Sequence, residues 1–125
     1  MKFKRVVALL IAMFVLCSGV TQVWAHHSMV MYDEKTNKTI SGIVKRIEFR
    51  NPHSMFIITV ADAEGNSVEW TLESQPLATL LSQGWSESTM KVGDKVTAVG
   101  YPARNGKPAM LVRAIQLPDG RTIKT

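Results

Sequence analysis

An all-β fold is predicted from three features of the chain. Short apolar-rich segments, one of them alternating strictly, are separated by clusters of Gly, Pro, Asn and Asp. Only one stretch beyond the N-terminal leader has helical spacing. That stretch falls after three candidate strands and before two more.

The first strand is read at 39–49. Ile40 and Val44 share one parity, while Ile43, Ile47 and Phe49 share the other. Gly42 lies near the change of parity, which points to a β-bulge or a bend there. Asn51-Pro52 breaks the strand. Residues 54–61 are almost continuously apolar, as in a strand buried on much of both faces. Asp62-Ala63-Glu64-Gly65-Asn66 is turn chemistry. Residues 67–73 alternate cleanly, with Val68, Trp70 and Leu72 inward and Glu69, Thr71 and Glu73 outward. Ser74 is placed to cap a helix that Pro76 begins and Gly84 ends, with Leu77, Leu80 and Leu81 on one face. Trp85 is expected to pack back on the core. Residues 95–101 form a fourth strand, Asn105-Gly106 a hairpin turn, and 109–117 the fifth strand. Pro118-Asp119-Gly120 turns the chain toward a short last strand at 121–123. Three strands, a helix, then two strands is the order of the OB-fold, a small five-stranded Greek-key barrel. Another small barrel or a sandwich is the alternative.

The 125 residues do not all belong to that domain. Lys2, Lys4 and Arg5 precede an apolar run at 6–16, and Val23-Trp24-Ala25 suits a signal peptidase. The run is short for a membrane-spanning helix, which needs about 20 apolar residues. Residues 1–25 are therefore expected to be a cleaved signal peptide and 26–38 an N-terminal arm. The barrel domain is read at 39–125. An uncleaved anchor and a lipoprotein are competing readings, the latter because of Cys17. The bulky Leu16 before that cysteine argues against lipidation.

Cleavage after Ala25 would leave 100 residues, the 125 less these 25, enough for one core that buries roughly 60–70% of the unfolded surface. Cys17 is the only cysteine, so a mature chain would have neither disulfides nor thiolate chemistry. Three of the fifteen basic residues leave with the signal; twelve then face ten acidic ones, a net of +2. No basic run or aromatic-interleaved basic stripe is present, which disfavours nucleic acid as a partner. After cleavage no membrane association is expected.

Several short motifs follow one another along the chain. They are His26-His27-Ser28, Tyr32-Asp33, Gly42-Ile43-Val44, Asn51-Pro52-His53 and Trp70-Thr71-Leu72-Glu73. Gly84-Trp85, Lys91-Val92-Gly93-Asp94-Lys95-Val96 and Leu117-Pro118-Asp119-Gly120-Arg121 complete the set. In these the chain resembles the small exported bacterial proteins grouped as DUF6152, over nearly all of the mature chain. The resemblance implies an exported protein whose biochemical activity is not established. Met29 and Met31 depart from that family's usual residues.

All three histidines lie in these motifs. If His26 starts the mature chain, its free amine and ring Nδ1 can chelate one ion, with His27 or His53 as a third nitrogen. The amine, with a pKa of about 7.7–8.0, can release its proton near neutrality. Imidazole ligation suits copper, zinc, iron and nickel, and Cu(II) stands highest in affinity. Met29 and Met31 would favour Cu(I). Eleven arm residues, at roughly 3.3 Å each, span about 36 Å, so His53 is within reach. Glu73 and Asp33 are candidate oxygen ligands, or acceptors that orient a histidine ring.

The plainer alternative makes His26-His27 a polar terminus and Asn51-Pro52-His53 a turn whose polar groups cap the backbone. It leaves Glu69 and Glu73 solvated and Trp70 and Trp85 in the core. The expected function is thus a periplasmic or secreted binding protein, with copper or another transition metal as ligand. The alternative is a metal-free interaction module that binds a protein, glycan or small molecule through Glu69, Thr71, Glu73 and the loop near Asn105. A small metalloenzyme is a third reading. No nucleophile elbow, phosphate loop or paired carboxylates support catalysis.

Overall fold

The computed structural model describes residues 31–125. The expected signal segment, 1–25, and His26-His27 lie outside them. The elements are β1 (Lys38–Glu48), β2 (Met55–Ala61), β3 (Ser67–Glu73), α1 (Leu77–Ser82), β4 (Lys95–Pro102), β5 (Ala109–Gln116) and β6 (Thr122–Lys124). Strands β1–β5 close on themselves. The order is β3-β2-β1-β4-β5, and β3 returns to pair with β5 in parallel. β6 adds to the outer side of β5. This is the OB-type barrel that the element order predicted, with its single short helix between β3 and β4.

The β2–β3 hairpin is set by its turn. Asp62 Oδ1 accepts from the Glu64 and Asn66 amides at 2.9 and 2.8 Å. Gly65 takes the positive φ the turn requires, +86°. Ala61 then faces Ser67, and each earlier residue falls opposite its counterpart down to Met55 and Glu73.

The bulge expected near Gly42 lies further along β1. The bulge in β1 lies between Val44 and Arg46, where the register with β2 shifts. Gly42 pairs regularly with Val96. A Cβ there would sit 2.4 Å from the Thr59 carbonyl oxygen. Its missing side chain lets β1 pass close over β2.

The helix also starts differently. Pro76 is its N-cap residue, and no side chain caps it. Ser74 is buried, with its hydroxyl unpartnered among the described residues. Its backbone serves instead: the Ser74 amide donates to the Ser54 carbonyl at 2.9 Å, and the Ser54 amide to the Gln75 carbonyl at 3.1 Å.

The core lies inside the barrel, on Val44, Phe56, Ile58, Leu72, Val96 and Met110 among others. One end is sealed. Leu80 of α1 is fully buried. Trp85 stacks on Phe56 at 5.4 Å, and Phe49 meets both rings edge-on. The Trp85 indole donates to the Lys124 carbonyl at 2.7 Å, so the buried N–H is satisfied. The other end is open. β3 pairs with β5 only from Thr71 onward. Ahead of that point a cavity of about 460 Å³ opens, walled by Ile40, Val60, Val68 and Trp70 and bordered by the 106–108 loop.

Candidate functional site

The β1–β2 loop carries His53. Two hydrogen-bond sets hold it. The Ser54 hydroxyl, fully buried, bonds the Arg50 amide and carbonyl at 3.3 and 3.4 Å. Backbone bonds then tie Arg50 and Ser54 to the segment that leads into α1: Leu77 N to the Arg50 carbonyl at 3.3 Å, and the Ser54 pair already described. The loop therefore rests on the last residues of β3 and the start of the helix.

That placement brings His53 to Glu73. The imidazole Nδ1 lies 2.8 Å from Glu73 Oε1. Tyr32 reaches the same carboxylate from the arm. Its phenol donates to Glu73 Oε2 at 2.5 Å. Both oxygens of Glu73 thus have a neighbour, the imidazole Nδ1 at one and the Tyr32 hydroxyl at the other. The arm is pinned at this point: Tyr32 bridges to Ala103, and the Asp33 amide donates to the Pro102 carbonyl at 2.9 Å. Tyr32 is 4% exposed and Glu73 8%, whereas the His53 side chain keeps 38% of its surface. Burial, with the Glu73 carboxylate as acceptor and as a nearby negative charge, raises the Tyr32 phenol above its ordinary value. The phenol is therefore a fixed donor at neutral pH.

Glu73 was expected outward and solvated in the plainer reading. Its parity is outward, but Tyr32 and His53 cover it. His53 likewise bonds a carboxylate and not a turn carbonyl.

A neutral ring that keeps its proton on Nδ1, toward the carboxylate, carries its lone pair on Nε2. Nε2 has no hydrogen-bond partner among the described residues. The ring lines a cleft of about 240 Å³ with Arg50, Pro52, Met55 and Glu73. A histidine oriented by a carboxylate through one nitrogen and open at the other suits a metal ion or a proton acceptor. Among the described residues no three His, Cys, Asp or Glu side chains converge as a metal-holding group.

Asp33 does not join this cluster. Its Oδ1 accepts from the Lys35 amide at 3.2 Å and its Oδ2 from the Thr36 hydroxyl at 2.7 Å. Arg104 stands at 3.9 Å. The hydrogen bonds from Thr36 and Lys35 hold its carboxyl below the ordinary value. Asp33 serves its own turn, because an Asx-type bond to the chain just ahead is the nearest available to it. Glu69 pairs with Lys45 on the surface. His26 and His27 lie outside the described residues.

Two residues of the site escaped the sequence reading. Tyr32 gave a motif but no chemical cue, since its partner is 41 positions away. Met55 was legible: the β2–β3 turn fixes it opposite Glu73, and its thioether lines the His53 cleft.

Comparison with curated proteins gives no match. The model of a family of unknown function, DUF6152, matches residues 13–112 of the 125, and the chain belongs to that family.

Proposed function

We propose that the protein is exported, loses residues 1–25, and binds a transition-metal ion, copper first, with His53 Nε2 as a ligand. The observation that carries this reading is the Glu73 carboxylate, locked by Tyr32 on one oxygen and orienting His53 through the other. Such a carboxylate fixes the tautomer and the orientation of the ring. Met55 supports the preference for copper, because a thioether beside an imidazole suits Cu(I).

The sequence supplies the remaining nitrogens. A chain that begins at His26 offers an amine and two imidazoles. His27 lies five positions before Tyr32, a span of about 18 Å at most. Tyr32 itself touches Glu73. On this reading the terminal donors and His53 hold one ion. Asp33 is left out of the ligand set, because its own turn holds both of its oxygens. Glu73 acts by orienting His53.

Isothermal titration with Cu(II) tests the reading. The correctly processed protein is expected to bind one ion. One extra residue ahead of His26 should weaken binding, and His53→Ala should weaken it further. Equal affinities for all three would reject it.

A further inference from the structure

We propose that the open mouth of the barrel is a second binding site, separate from the His53 cleft, and that it takes a small aromatic anion. The mouth exists because β3 leaves β5 before Thr71, so Val68 and Trp70 face a gap bounded by the 106–108 loop. Its volume, about 460 Å³, is in the range of small-ligand pockets. Its walls are apolar. Ile40, Val60 and Val68 give aliphatic surface, and Trp70, only partly buried, gives a flat π face. Barrel mouths are recurrent ligand sites for this reason.

The charge at the rim selects the sign of the ligand. Lys38 places its ammonium 5.4 Å from the centre of the Trp70 ring. It has no carboxylate partner within salt-bridge distance among the described residues. An exposed cation–π contact is weak, so the ammonium is free to turn to an incoming anion. Asp62 is the acidic group on the same rim. Its two oxygens are held by the Glu64 and Asn66 amides and the Asn66 side chain. Those donors fix its carboxylate in the turn, so that of the two exposed rim charges Lys38 is the one free to move to a ligand. An aromatic ring on the Trp70 side with a carboxylate or sulfonate at Lys38 satisfies both features.

A matched pair of probes separates the two parts. 8-Anilinonaphthalene-1-sulfonate carries the anion; N-phenyl-1-naphthylamine has the same rings without it. The folded protein is expected to bind the sulfonate saturably, at one site, with a change in Trp70 emission. Lys38→Met should weaken the sulfonate about two- to fivefold, the range of a surface ion pair, and leave the neutral probe unchanged. Val68→Trp should fill the mouth and weaken both probes more than tenfold. Val60→Phe is the milder fill, should Val68→Trp disturb the near-ultraviolet signal of buried Trp85. Glu73→Gln should change neither probe. Three results would overturn the proposal: no saturable one-to-one binding, unchanged binding in the filled variants, or equal effects of Lys38→Met on both probes.

Discussion

The two ends of the barrel differ in how they are closed, and the difference separates structure from binding. At one end α1 and the 83–90 segment bring Leu80 and Trp85 over Phe56, with Phe49 beside them. At the other, β3 diverges from β5 and leaves Trp70 lining an open cavity. One tryptophan is 3% exposed with a satisfied N–H; the other is half-buried with a lysine over its face. β3 joins the two ends, and its last residue, Glu73, belongs to the His53 cluster.

Mutations should reproduce this contrast. Phe56→Ala at the sealed end removes a fully buried ring from a three-ring cluster. A loss of about 3–5 kcal/mol is expected in denaturant unfolding. Trp70→Ala at the mouth should cost clearly less. If the two losses are equal, the mouth is part of the core and the contrast fails. Gly42→Ala lies between the ends, where β1 crosses β2. Its new Cβ meets backbone at 2.4 Å, and a loss of about 1–3 kcal/mol is expected from overpacking.

Tyr32→Phe probes the arm. It removes the donor to Glu73 and leaves a carboxylate oxygen buried without it. About 1–3 kcal/mol should be lost, with the fold intact by circular dichroism. The same residue gives the smallest effect, a pH dependence. The folded phenol ionises above its ordinary value near 10, and so its contribution is complete below pH 10. That contribution declines as pH rises from 10 toward the folded value. Stability measured from pH 9 to 11.5 should fall more steeply in the wild type than in Tyr32→Phe. Identical slopes would show that Tyr32 is not a buried donor.

What could be read from the sequence followed the range of each signal. The β2–β3 hairpin was legible to within one residue, since its turn chemistry and alternation are both local. The barrel order was legible because one helix fell between two groups of strands. Gly42 was read as a bulge or a bend: the bulge lies further on, between Val44 and Arg46, while β1 passes from β4 to β2 beside Gly42, and only the register tells these apart. Ser74 looked like a cap; tertiary contact with Ser54 took its backbone and left Pro76 to begin the helix. The pairing of His53 with Glu73 was anticipated as a possible second interaction around a ligand. The burial of Glu73 was not, since it depends on Tyr32 crossing from the arm. Asp33 looked available beside its motif, and the hydrogen bonds of its own turn could not be read from the sequence.

The central claim is that Glu73 holds His53 with Nδ1 protonated and Nε2 open to a metal. Nitrogen-15 NMR of the His53 ring, recorded near neutral pH before and after Cu(I) addition, tests it directly. The expected spectrum has a protonated Nδ1 and a bare Nε2, with Cu(I) shifting Nε2 alone. Glu73→Gln should weaken that binding roughly 10- to 100-fold. A ring protonated on Nε2 without metal, or a His53 signal that Cu(I) leaves unmoved, would contradict the claim.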